Sequence, residues 1–231
     1  MPTLPSDFVD GVRDAAPLHL GIVPFGLVAG VAAVEQGLSI FHAIGFSTVV
    51  FAGASQLAMI ELLGSDAPLA IVVGTAVVVN LRMLMYSASI APYFRDFAAR
   101  SKTIASYLLT DQAFALSLAR YNRETGTDRF AYYIGVAVSL WAVWQVATVA
   151  GAVLGTGLPP EWGLGFAAPL VFLALLVPAL KDRASAASGV IGGIVAVAVV
   201  AAGIPFHLDI IVAAVAGVAA GLAVESFGGD A

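Results

Sequence analysis

Eight stretches of this chain are too long and too apolar to be core helices of a soluble domain, and they decide what it can fold into. A helix crossing a bilayer needs about 20 mostly apolar residues, set by the rise per residue and the hydrocarbon thickness. Runs meeting that requirement fall at Pro17–Val34, Phe41–Leu63, Pro68–Ile90, Thr103–Tyr121, Phe130–Leu154, Leu164–Leu180, Ala187–Gly203 and Phe206–Val224. The connections are short and punctuated, as at Gly64-Ser65-Asp66 and Lys181-Asp182-Arg183. None is long enough to hold a soluble domain or an interdomain linker.

Composition agrees. Charged residues make up 11% of the 231 and hydrophobic ones 60%, where an ordinary soluble domain carries about 25% charged residues. A net charge of −5 excludes a nucleic-acid binder. With no cysteine there is no thiolate metal site, thiol nucleophile or disulfide framework. The expectation is an all-α, polytopic membrane bundle of seven to eight hydrophobic segments, one domain over residues 1–231. The first run lacks a basic leader and a small-residue cleavage site, so it reads as a retained span. Within residues 1–15, Phe8, Val9 and Val12 share a helical face behind Ser6-Asp7, as in a short interfacial helix.

Basic residues orient such chains, because cytoplasmic loops carry excess lysine and arginine. In the second half the rule works. Arg120, Arg123 and Arg129 lie on one side, Lys181 and Arg183 return to it two spans later, and the carboxy terminus comes out cytoplasmic. In the first half it breaks. Arg95, Arg100 and Lys102 precede the fourth segment, and Arg120, Arg123 and Arg129 follow it. Both loops belong inside, yet one crossing would separate them. Either the charge rule fails here, or one of the first four segments enters and leaves on the same side, the fourth being the first suspect and the second the next. Irregular backbone at membrane depth occurs only where it is buried in protein or lines a cavity, so the contradiction points to a site.

The polar atoms at depth are also confined to the first half. Pro24-Phe25-Gly26, Gly53-Ala54-Ser55-Gln56, Asn80-Leu81-Arg82 and Thr110-Asp111-Gln112 interrupt the apolar runs. Arginine or aspartate near the bilayer centre costs ~2.5–3.5 kcal/mol even on the lenient insertion scale. Arg82 and Asp111 are therefore either an ion pair holding the bundle or the lining of a polar pathway. Pro24 and Gly26 predict a break or kink in the first helix. Gly53, Ser55 and Gln56 read as a small-residue opening that frees backbone amides, or as close helix packing. The candidate pathway is thus Pro24, Gly26, Gly53, Ser55, Gln56, Asn80, Arg82 and Asp111. Trp141 and Trp144 are weaker candidates for a cavity wall. His19, His42 and His207 sit at segment ends without a second ligand at metal-binding spacing, so neither metal nor cofactor is expected.

No catalytic elbow, zinc motif or phosphate-binding glycine loop occurs. Binding and movement of a small zwitterionic or polar solute remain. The four motifs, with Tyr86 one turn after Arg82 and Ala113-Phe114 after Gln112, resemble the AzlC family in order and spacing, over about Asp7 to Ala220. Those proteins are large subunits of branched-chain amino acid exporters. The resemblance implies export of hydrophobic amino acids across the cytoplasmic membrane, driven by an ion gradient, with a small AzlD-type membrane partner. Gln112 stands where the family more often has a second carboxylate, leaving Asp111 as the one acid there. The competing readings are a membrane subunit that relies on a separate ATPase, a membrane-embedded enzyme and a passive channel.

Overall fold

A computed structural model describes residues 5–124, 126–157, 173, 176, 179–203 and 208–228. Among them there is helix and no strand. The helices are α1 (Ser6–Glu35), α2 (Ile40–Val49), α3 (Gly53–Gly64), α4 (Leu69–Asn80), α5 (Arg82–Ile90), a 3-10 turn (Ala91–Phe94), α6 (Ala99–Tyr107), α7 (Asp111–Arg123), α8 (Arg129–Gly155), α9 (Arg183–Ala201) and α10 (Asp209–Gly228). The expected sixth segment, Leu164–Leu180, lies largely outside the described residues, as do Trp162 and His207.

Four helices are long and apolar enough to cross a bilayer: α1, α8, α9 and α10. The pair α4–α5, bent by 40° at Leu81, makes a fifth. These are the spans among the described residues: the second and fourth apolar runs are each split into two short helices, and the sixth lies largely outside those residues.

The long helices α1 and α8 form the spine. They run parallel, since Gly11 faces Tyr132 and Val136 at one end while Gly30 faces Thr148 and Ala152 further along. Gly135 and Gly151 of α8 return the contact against the backbones of Phe8 and Leu27. Any side chain at these four positions would collide with the facing helix, so small residues bring the two backbones together. This packing also answers two sequence expectations. Residues 6–15 are the first turns of α1, continuous with the span. Pro17 and Pro24 sit inside that same helix, and no break follows Pro24. The lost hydrogen bonds are local, whereas the α8 contact runs along the whole helix.

The contacts trace where each broken segment goes. The α2–α3 pair starts beside the carboxy-terminal end of α1, dips to Val50–Ala52, and returns so that Gly64 meets the side chain of Gln36. The α6–α7 pair does the same from the opposite end. Phe97 stacks edge-on to Phe130, Tyr93 donates to Asn122 Oδ1 at 2.8 Å, and Arg129 lies over the Tyr93 ring. Arg120 in turn bridges to Asp10 at 3.2 Å, and the Asp128 amide donates to Asp7. Both basic loops therefore lie at the amino-terminal end of α1. The tips of the two hairpins meet in the middle, where the Tyr107 hydroxyl donates to the Thr48 carbonyl. Between them α4–α5 passes from one end to the other.

The expected discontinuity is present in three of the first four segments. It also resolves the charge conflict: Arg13, Arg95, Arg100, Lys102, Arg120, Arg123 and Arg129 share one end, and Arg82 alone of the basic residues in the first 157 lies at the centre. The α9–α10 hairpin packs through Ser188, Gly192, Gly217 and Gly221 and meets the rest where Ile211 approaches Gly74 of α4.

Candidate functional site

Three chain breaks converge on one cavity. Its volume is about 440 Å³, within the ~300–1,000 Å³ typical of small-molecule sites. Phe51, Ala52, Gly53 and Ala54 come from the α2–α3 break, Arg82 and Met83 from the α4–α5 bend, and Thr110, Asp111 and Gln112 from the α6–α7 break. The spine helices close it with Leu18, Ile22 and Phe25 of α1 and Leu140 and Trp144 of α8.

The α2–α3 and α6–α7 breaks each have a local cause. The α2–α3 break follows Thr48-Val49-Val50, β-branched residues that propagate a helix poorly. Its extended Ala52 leads into α3 with no side-chain cap on the first turn. The unbonded first amides of a helix, here those of Gly53 and Ala54, carry partial positive charge. Gly53 has a steric reason to be glycine: a Cβ would stand 2.8 Å from the rings of Phe25 and Trp144. At the second break Thr110 is extended, and its Oγ1 accepts from the Ala113 amide at 3.1 Å, capping α7. Asp111 is then the first residue of α7, where a negative charge interacts favourably with the helix dipole.

Arg82 and Asp111 face each other across the cavity with Nη1 and Oδ2 3.6 Å apart. Their side chains keep 34% and 43% of their exposure, so both remain available to a third party. Arg82 Nε is buried without a partner. On the apolar side Phe25 meets Trp144 edge-to-face at 5.3 Å. Trp144 is buried and its indole N–H has no acceptor among the described residues. The cavity thus brings a cation, an anion and free helix amides together with an aromatic and aliphatic wall.

The sequence candidates divide accordingly. Gly53, Arg82 and Asp111 line the cavity. Ser55 and Asn80 stand behind it: Asn80 Nδ2 donates to Ser55 Oγ at 3.0 Å, and Ser55 Oγ donates to the Ala52 carbonyl at 3.0 Å. This chain ties the end of α4 to the break before α3. Gln56 is fully buried, away from the cavity wall, with both amide atoms unpartnered. Gly26 packs against Ala147 of α8, and Pro24 is on the exposed face of α1, so neither lines the cavity. Phe25, Phe51, Thr110, Leu140 and Trp144 were absent from the candidate pathway. Phe25, Phe51 and Leu140 look like any other core positions in sequence; Trp144 was a weaker candidate for the cavity wall, and Thr110 carried a signal as a capping residue before Asp111.

The fold and site define a helical membrane protein whose discontinuous helices end on a central charged cavity. The model of the AzlC protein family matches residues 17–158, and the chain belongs to that family. It is 29% identical to the inner membrane protein YgaZ of Escherichia coli K12, over 77% of this chain and 75% of that one. An uncharacterized membrane protein of Archaeoglobus fulgidus is 32% identical over 91% of this chain and 92% of its own. One from Helicobacter pylori is 27% identical over 84% and 86%. No solved structure matches the chain.

Proposed function

We propose that this chain is the multi-pass large subunit of a secondary transporter that exports branched-chain and related hydrophobic amino acids across the cytoplasmic membrane. It works with a small AzlD-type membrane subunit, and an ion gradient drives export. The observation that carries the reading is the meeting, in one cavity, of Arg82, Asp111 and free helix amides with an apolar wall. An amino-acid zwitterion needs a donor for its carboxylate, an acceptor for its ammonium and a dry wall for its side chain. Arg82 and the first amides of α3 supply the donors, as half-helix termini do in other transporters. Asp111 supplies the acceptor. Phe25, Trp144 and Leu140 make the wall. The clustered basic residues put the amino-terminal end of α1 in the cytoplasm. Nothing in the cavity's donor set calls for an enzymatic step.

The test is transport of radiolabelled leucine by the purified protein in proteoliposomes, with and without the small subunit. With an ion gradient and no ATP, leucine should move against its own gradient when both subunits are present. Movement that requires ATP and an added ATPase would assign the chain to an ATP-dependent system instead. Downhill leakage alone would make it a channel.

A further inference from the structure

A second concavity, about 280 Å³, lies away from the central cavity between α5, its 3-10 extension and α6. Two helical stripes face each other across it with matching spacing. One runs Ser87, Ile90, Phe94; the other runs Lys102 and Ser106 of α6 on to Leu109 in the break just beyond it, and Tyr133 of α8 forms the floor. The stripes are antiparallel, so Phe94 and Lys102 lie together at the loop end while Ser87 and Leu109 lie deepest. We propose that this groove binds an anionic glycerophospholipid of the cytoplasmic leaflet, with its phosphate on Lys102 and an acyl chain along Phe94, Ile90 and Leu109.

Charge points to this occupant. Lys102 donates one bond, to the Arg95 carbonyl at 2.8 Å, and takes part in none of the ion pairs among the described residues. Arg95 stands in the loop before α6, against a single acid, Asp96. That loop shares its end of the protein with every other basic residue of the first half except Arg82. Anionic lipids concentrate in the cytoplasmic leaflet, and basic pockets between membrane helices bind their headgroups.

Depth points the same way. Phe94 is twelve residues beyond the central Arg82, which is roughly 18 Å along a helix. The mouth of the groove therefore falls where the hydrocarbon of one leaflet, about 15 Å thick, gives way to headgroups. The walls below it are apolar: Ile90, Phe94, Leu109 and Tyr133 are all buried. Tyr133 is held in place by donating its hydroxyl to the Ala105 carbonyl at 2.7 Å. A soluble anion would use the lysine and leave the rest of the groove empty; a phospholipid uses both.

The test is native mass spectrometry of the purified full chain with dioleoyl-phosphatidylglycerol or dioleoyl-phosphatidylcholine. The parent protein should retain the anionic lipid preferentially. Lys102→Gln keeps a donor for the Arg95 carbonyl and removes the charge, and should lower phosphatidylglycerol retention roughly fivefold. Lys102→Arg should retain it, and Arg100→Gln, outside the groove, should change little. Ser106→Phe fills the groove with the charge intact and should also release the lipid. Should that variant not fold, judged by its thermal unfolding, the Lys102 pair decides alone. Equal retention of both lipids, equal effects of Lys102→Gln and Arg100→Gln, or a folded Ser106→Phe that still holds phosphatidylglycerol would each overturn the proposal. So would displacement by excess inorganic phosphate, which would leave only an anion site, or by a co-purified small subunit, which would make the groove a protein interface.

Discussion

At the scale of single residues the account turns on Arg82, Asp111 and Gly53. A planar guanidinium grips a carboxylate with two parallel bonds, which an ammonium cannot reproduce. Arg82→Lys can still face Asp111, so the protein should fold and express normally, while leucine transport falls about tenfold or more for want of the fork. Transport equal to the parent's would make Arg82 a structural strut. Asp111→Asn keeps shape and hydrogen bonding but removes the negative charge that meets the substrate ammonium. Exchange and gradient-driven accumulation should fall together, with weaker apparent affinity. Preserved exchange with lost accumulation would instead make Asp111 the coupling proton site. Gly53→Ala drives a methyl into the Phe25–Trp144 corner, at an overpacking cost of ~1–3 kcal/mol. Its preference should move from leucine toward valine and alanine in competition assays; an unchanged order would detach that corner from side-chain recognition.

These residues were unequally legible in the sequence. Arg82 and Asp111 stood out because charge at membrane depth is costly, and Gly53 because it opened a polar patch. Asn80 and Ser55 were legible as polar but not as bracing residues, since their role exists only once the end of α4 and the start of α3 are adjacent. Phe25 and Leu140 carry no mark that separates a cavity wall from a core, and Trp144 carried only a weak one. Pro24 misled for the opposite reason. A proline's local cost is plain in sequence, while the long α8 contact that overrides it is not.

At the scale of elements, the opposed hairpins matter most. The misplaced basic loops pointed to the fourth segment, and both it and the second turn back on themselves. Charge made that topology readable because two loops at the same end cannot be joined by one crossing. The break points were partly readable: Gly53-Ala54-Ser55-Gln56, Asn80-Leu81-Arg82 and Thr110-Asp111-Gln112 marked their places as polar interruptions, although Val50–Ala52 has no proline and Leu81 is an ordinary helix former. The hairpins make a sharp prediction, and the absence of native cysteine makes it easy to check. Ser65→Cys, beside the α3–α4 turn, should react with a membrane-impermeant maleimide in intact cells. Ala98→Cys and Asn122→Cys, on either side of α6–α7, should both stay protected until the cells are opened. Reaction of Ala98→Cys and Asn122→Cys from opposite faces would mean that α6–α7 crosses the membrane.

At the scale of the whole molecule, a two-helix spine has two short-helix hairpins and one bent crossing gathered round the central cavity. Parallel α1 and α8 are held by backbone contacts at Gly11, Gly30, Gly135 and Gly151. Polar links between α1, α7 and α8, Arg120–Asp10 at 3.2 Å and the Tyr132 hydroxyl to Asp14 at 2.7 Å, tie the amino-terminal end together. The helix breaks then meet where the spine is fixed, and motion of either hairpin would change access to the cavity without unpacking α1 from α8. The central claim is that this cavity holds the solute. Ala54, on the cavity wall at the first turn of α3, allows it to be tested directly: in the Ala54→Cys protein, reconstituted with its small subunit, the rate of maleimide modification is measured with and without leucine. The account predicts that leucine slows modification in a saturable way and that adding Arg82→Lys weakens the protection. Modification at the same rate with and without leucine, in a protein that still transports it, would contradict the account and place the solute elsewhere.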